Sequence, residues 1–296
     1  MTTFFLRAKR AIVAVALSFA VVPALAVENF LLAAHEQRLA EAQSNVSVAK
    51  TDSDRAYALR QQAAELDSLG KSTEALAVID QALKLVEPAR NKDFIATKAG
   101  ILFSMNDPQG ALVLLTPNLE DTRKFAQSQV GSGRTSALST FTEGFITATF
   151  AHIQLEQWRD AIATLADAEA MLEGPSFYAY RSLVYRYIMG RARDASLANA
   201  RLEKSTAYYT QNDKSHYGAL LRLWQGEDTS KEVAALIWRM SGQEQQEACG
   251  EALFYTAAYV KFVKGDAASA RFMLDHLNRV APYGSIEWIY GKRVLQ

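Results

Sequence analysis

The side chains best suited to chemistry are few and far apart in this sequence. Cys249 is the only cysteine among 296 residues, and it stands in Gln246-Glu247-Ala248-Cys249-Gly250 with no histidine nearby. A thiol needs a neighbouring base or cation to become a nucleophile, so Cys249 reads as a small hydrophobe or an idle thiol. One cysteine also excludes a disulfide within the chain. His35, His152, His216 and His276 each lack a second histidine three or four residues away, the spacing at which a helix presents a metal pair. His216 and His276 read as surface or half-buried side chains. Gly131-Ser132-Gly133-Arg134 is glycine-rich, but it lacks the Lys-Ser/Thr ending of a phosphate loop and follows no strand. No Gly-x-Ser-x-Gly elbow is present. The expectation is a protein without metal, cofactor or catalysis of its own.

Composition agrees with a globular chain built of helices. Apolar residues make up 49% and charged residues 22%, enough for a core and too apolar for disorder. Six prolines and fifteen glycines are few for this length, which favours long helices over many turn-linked strands. With 32 basic and 32 acidic residues there is no cationic surplus to displace counterions from phosphates, which argues against nucleic acid as a partner.

The helices repeat. Ala56, Leu59, Ala63 and Leu66 recur at helical spacing, Gly70-Lys71 marks a turn, and Ala75, Leu76, Ile79, Ala82 and Leu83 form a second stripe before Pro88. Ala63, Ala75 and Ala82 fall where two helices approach most closely, and a large side chain there would push the backbones apart. The same order returns near the end, with Phe254, Ala257 and Ala258 before Gly265, then Ala270, Leu274, Leu277 and Pro282. Weaker copies lie between. Ala99 and Leu102 precede an Asp107-Pro108 cap and Ala111 and Leu115. Phe145, Ala148 and Ile153 precede Ala161, Leu165 and Ala168, with Gly174-Pro175 closing the unit. Phe177 to Ile188 precedes Gly190 and Ala195. These are the spacings of the tetratricopeptide (TPR) repeat, a unit of roughly 34 residues.

The expected fold is therefore all-α, a TPR-like superhelical solenoid of antiparallel helix pairs over residues 51–296. An additional amphipathic helix within residues 27–50 rests on Phe30, Leu31, Leu39 and Val46. Residues 216–247 read as a degenerate hairpin, a short helix ended by Gly226 and a second one opened by a Thr229/Glu232 capping box. A flexible loop is expected at about 126–140, around Gly131-Ser132-Gly133.

In that phase the first helix of each pair lines the concave side and gathers aromatic residues there. Tyr57 and Arg60, Phe150, Phe177, Tyr180 and Tyr187, and Tyr255, Tyr259 and Phe262 would share this face. Tyrosine and phenylalanine offer large contact area at low entropic cost, which suits recognition of a protein or peptide segment. Phe177, Tyr180, Tyr187, Tyr255, Tyr259 and Phe262 are thus the candidate partner-binding residues. The alternative is that the chain's own C-terminal helix, Ile286 to Leu295, or a second copy in a homodimer fills the same face.

A family resemblance rests on the C-terminal part. Tyr217-Gly218-Ala219-Leu220-Leu221-Arg222-Leu223-Trp224-Gln225-Gly226 leads through one helix into Glu251-Ala252-Leu253-Phe254-Tyr255 and then Lys264-Gly265-Asp266-Ala267-Ala268-Ser269-Ala270. This order resembles the NlpI-type TPR lipoproteins of Gram-negative envelopes. The resemblance implies a scaffold that brings envelope proteases and cell-wall hydrolases together. Those proteins carry a lipid-modified cysteine, and Val27 stands in its place here. The alternatives are a structural subunit of a secretion or cell-surface assembly, or an accessory subunit of an envelope hydrolase with a site in the 126–140 loop.

Export is the last expectation. Arg7, Lys9 and Arg10 precede an apolar run from Ala11 to Val22 and then Pro23-Ala24-Leu25-Ala26. Small residues at Ala24 and Ala26 suit a signal peptidase, so residues 1–26 read as a signal peptide cleaved before Val27. The apolar run is shorter than the roughly 20 residues of a membrane span. The mature chain is expected to be periplasmic or secreted, with no span after cleavage.

Overall fold

The structure, a computed structural model, describes residues 29–87 and 91–296; the segment expected to be a signal peptide, Val27 and Pro88 lie outside them. Among the described residues there are fifteen α-helices and no strand. α1 (Phe30–Val48) precedes a file of helix pairs. These begin with α2 (Asp52–Ser68) and α3 (Ser72–Leu83), then α4 (Lys92–Ser104) and α5 (Pro108–Gln127). After the short α6 (Ser132–Ser139) come α7 (Thr142–Gln154) with α8 (Trp158–Asp167), and α9 (Pro175–Ala192) with α10 (Ala200–Asn212). α11 (His216–Leu223) with α12 (Ser230–Trp238) and α13 (Gly242–Ala258) with α14 (Ala267–Val280) complete the file, and α15 (Ile286–Val294) follows. The chain is an all-α solenoid of helix pairs. None of the described helices is long and apolar enough to cross a membrane.

Local chemistry accounts for the pairs. In the first, the Thr51 side chain accepts the Asp54 N–H and so caps α2, and Gly70 turns the chain at φ 77°, a left-handed value that costs glycine little. Ala56, Leu59, Ala63 and Leu66 of α2 then meet Ala75, Ile79 and Ala82 of α3, all buried. Asp107 caps α5 through the Gly110 N–H, with Pro108 in the first turn where its missing donor does no harm. Asp266 caps α14 by accepting the Ser269 N–H, after α13 continues into a π-helical stretch, Tyr259–Lys264.

Four local expectations need correction. The 126–140 segment is not a loop: α5 runs to Gln127, and α6 follows Gly131, burying Ala137 and Leu138. Gly174-Pro175 opens α9 instead of closing α8, because proline fits a first helical turn. Gly190, which stands in its repeat copy where Gly70 and Gly265 stand in theirs, is no turn either. It lies inside α9, where a Cβ would stand 2.6 Å from the Trp224 ring, so its smallness serves packing; the turn falls at Arg193. Thr229 forms no capping box, since its hydroxyl donates to the Ala219 carbonyl and Glu232 instead pairs with Arg222.

The file curves until its ends meet. The Gln246 side chain of α13 accepts the Leu31 N–H at 3.0 Å and donates to Asn29 Oδ1 at 2.8 Å and to the Val280 carbonyl at 2.7 Å. His35 of α1 lies 2.6 Å from Glu65 of α2 through Nδ1, and its Nε2 donates to the Tyr283 carbonyl at 3.1 Å. α1 thereby clamps the first pair to the connector before α15.

Candidate functional site

The candidate aromatic residues are brought together, but they do not form an open ridge. Tyr187, Tyr255, Tyr259 and Phe177 are buried, and Tyr180 and Phe262 are half-buried. The occupant of the face is α15. Tyr290, only 1% exposed, has its ring 6.4 Å from Phe103 of α4, 5.8 Å from Phe150 of α7, 6.3 Å from Tyr187 of α9 and 6.0 Å from Phe254 of α13, centroid to centroid. The first helices of those pairs therefore face one another across α15. The Tyr187 hydroxyl donates to the Tyr290 hydroxyl at 3.0 Å. The Arg191 guanidinium donates to Tyr290 as well, lies 5.3 Å from the Phe262 ring centroid and pairs with Glu156 at 3.1 Å. Tyr259 packs elsewhere, 5.5 Å from the Trp224 ring of the α11 pair. Accessible partner-binding roles for Tyr187, Tyr255, Tyr259 and Phe177 do not fit this arrangement.

One anchor of α15 is a buried acid. Glu287 is 4% exposed, and its carboxylate accepts from the Tyr180 hydroxyl at 2.9 Å, the Tyr255 hydroxyl at 3.2 Å and the Ser285 hydroxyl at 3.0 Å. Burial, reinforced by the charge of Glu251, pushes its carboxyl up to about 7, against the pull of those hydrogen bonds. Burial and the same carboxylates also raise the Tyr180 and Tyr255 hydroxyls far above their usual range, so both stay protonated and remain donors.

Beside this anchor the concave side keeps an open cavity of about 570 Å³. Its aromatic wall is Phe141 ahead of α7, Phe177 and Tyr180 of α9, and Tyr217 of α11. Its carboxylates are Asp93 of α4, Glu143 of α7, Glu173 ahead of α9 and Glu251 of α13. Glu251 accepts from the Tyr217 hydroxyl and lies within hydrogen-bond distance of His216 Nε2, both at 3.1 Å. His216 is thus a buried histidine rather than a surface one, and His276 is half-buried. Glu143 is exposed to the cavity, yet the crowded wall desolvates it and raises its carboxyl; Arg60 opposes that shift and Asp93 adds to it. The chain already sets an ammonium against this wall: Lys92 Nζ lies 4.8 Å from the Phe141 ring centroid and donates to the Thr140 hydroxyl at 3.1 Å.

Such a wall can hold a cation through ring faces and carboxylates together. It offers no activated nucleophile. Burial raises the Cys249 thiol to about 11, which leaves it protonated near neutral pH. Among the described residues no group of His, Cys, Asp and Glu converges to hold a metal ion.

Sequence reasoning missed Asp93, Glu143, Glu173, Glu251, Glu287 and Tyr217 as site residues. Only Glu287 left a local signal. It shares the helical stripe of Tyr290, Gly291 and Leu295, and an acid on a buried stripe asks for partners. The other carboxylates come from separate helices, and nothing in their spacing announces that they converge. No protein-family model and no curated protein matches this chain.

Proposed function

We propose that this chain is an exported helical-repeat adaptor of the TPR kind, which binds a segment of a partner protein and performs no chemistry itself. The observation that supports this reading best is the open cavity on the concave side, where four aromatic rings stand beside four carboxylates. A partner segment presenting a lysine or arginine fits that lining, with its cation against the carboxylates and its stem against the half-buried Tyr217. The resemblance to the NlpI-type proteins extends the proposal to envelope proteases or cell-wall hydrolases as partners.

Glu143 and Glu173 are exposed, so reversing their charge should disturb binding more than folding. Selection from a random peptide display library against the full chain should enrich basic sequences. The double variant Glu143→Lys, Glu173→Lys should bind them on the order of ten- to a hundredfold more weakly, the range of steered and paired interfacial charges. Enrichment of acidic or uncharged peptides, or equal binding by the variant, would reject the cavity as the partner site.

Export rests on the basic residues, apolar run and Ala24-Leu25-Ala26 ending of the N-terminal segment. The protein recovered from periplasm should have the intact mass of a chain starting at Val27, without an acyl group. A retained Met1 would refute cleavage.

A further inference from the structure

The open cavity and the buried acid of α15 share one wall of tyrosines. Tyr180 lines the cavity, and its hydroxyl donates to Glu287 Oε1 at 2.9 Å. The Tyr217 ring stands against it, centroids 6.0 Å apart, and the Tyr217 hydroxyl donates at 3.1 Å to Glu251, which also lines the cavity. Tyr255, one helical turn after Glu251 on α13, has its ring centroid 6.5 Å from that of Tyr180 and donates to the same Glu287 oxygen at 3.2 Å. One carboxylate thus faces the cavity while the other lies buried behind the tyrosines. Both belong to fixed helices, so nothing has to move for a charge placed at the first to be felt at the second.

The two acids already act on each other. Burial, with the charge of Glu251 added, holds the Glu287 carboxyl at about 7, so near neutral pH it is divided between protonated and ionised forms. A cation laid against Glu251 cancels that repulsion and adds an attraction, and both favour the ionised form. The path between them is lined by buried rings, where charges are screened far less than in water. The remaining charges around Glu287 have partners of their own. On α15, Lys292 lies over the Trp288 ring and Arg293 donates to the carbonyls of Phe103 and Ser104 at the end of α4. From α9, Arg191 donates to Tyr290 and pairs with Glu156. From α14, Asn278 meets α15 by accepting from the Trp288 indole. On α13, Glu247 stands one turn before Glu251, and His35 and Arg38 of α1 act on it. Asp93 of α4 and Glu143 of α7 face the cavity from its far side. From α11, His216 faces Glu251, and as a histidine it can exchange a proton in the same range.

We infer that a cation entering the open cavity displaces a proton from Glu287 to solvent, so that the site grips a basic segment in mildly alkaline solution and releases it in mild acid. The inference rests on the reading of the cavity as a basic-segment site and adds the regulation of that site. Linkage makes the effect reciprocal: if the cation expels the proton, the proton expels the cation by the same factor. A neighbouring opposite charge lowers a carboxyl by roughly one pKa unit or more, and the lower figure suits a cation with Tyr180 in between. Binding then releases about 0.4 proton at about pH 7, and affinity rises about fivefold from about pH 6 to about pH 8.

The test is isothermal titration calorimetry of the full chain with N-acetyl-tetralysine amide. Its lysines stay charged throughout this range and its blocked ends carry no charge, so the peptide itself gives up no proton. Heats measured in two buffers of different ionisation enthalpy count the protons exchanged. The part of the heat lost in the Glu143→Lys, Glu173→Lys chain is the share of the cavity. The wild-type chain should show the fractional proton release and the fivefold rise. Glu287→Gln cannot ionise, so it should release no proton and stay near the low-pH affinity of wild type throughout. Tyr180→Phe removes a hydroxyl that favours the ionised acid, so its rise in affinity should move to higher pH. That variant decides the matter if the glutamine chain does not fold. His216→Gln should leave the release in place. Wild-type binding without proton release, release that survives Glu287→Gln, or release that vanishes in His216→Gln overturns the inference and leaves the cavity reading intact. A wild-type chain that binds no peptide at any pH would sink both.

Discussion

Tyr290→Ala is expected to lower the unfolding free energy by about 3–5 kcal/mol, the usual cost of truncating a fully buried large aromatic. The ring touches four different helices, so no single neighbour can move in to fill the space. The loss also leaves the Tyr187 hydroxyl without its acceptor and removes a partner from Arg191. A typical domain is stable by only 5–15 kcal/mol, so the change should be plain in a urea titration with far-UV circular dichroism. Trp238→Ala makes the control: that ring is 72% exposed, and its removal should shift stability by less than about 0.5 kcal/mol. Equal midpoints for Tyr290→Ala and wild type would show that α15 does not hold the concave side together.

Glu287→Gln should act in the opposite direction and only at higher pH. The folded carboxyl titrates at about 7 against an ordinary value of 4.5, so between those limits the folded state binds more protons than the unfolded state. Stability must then fall as pH rises from about 4.5 through 7, and it is restored by protonation. The cause is first the burial of Glu287 and then the charge of Glu251, while the Tyr180 and Ser285 hydroxyls hold the shift back. Glutamine imitates the protonated acid in shape and retains an oxygen for Tyr180 and Tyr255. The variant should match wild type near pH 4.5 and exceed it at pH 8 by about 3 kcal/mol, taking about 1.4 kcal/mol for each pKa unit. Melting temperatures across pH 5 to 8 should diverge steadily with the variant above. Parallel curves would mean that Glu287 is ionised without cost, and that α15 is not anchored through a strained acid.

The sequence alone determined the helices, because helix formation is written in neighbours three and four residues apart. The stripes Ala56–Leu66 and Ala75–Ala82, the glycine turns at Gly70 and Gly265, and the Asp107-Pro108 cap all follow from side-chain size, backbone freedom and nearby donors. The same local logic misplaced Gly190 and the 126–140 segment. A glycine marks a turn only when no ring lies against it, and the Trp224 ring that lies against Gly190 comes from a different helix pair.

What fills the concave side could only be decided by the tertiary structure. Tyr180 and Glu287 are 107 residues apart, and Arg293 caps a helix end 190 residues earlier. Such contacts depend on how far the file of hairpins curves, which small packing increments between successive pairs accumulate and no local pattern states. The aromatic residues were legible as a group on the first helices, but their accessibility was not. It is set by one terminal helix, whose buried Glu287 and Tyr290 turn a row of tyrosines from an exposed surface into the lining of an occupied groove.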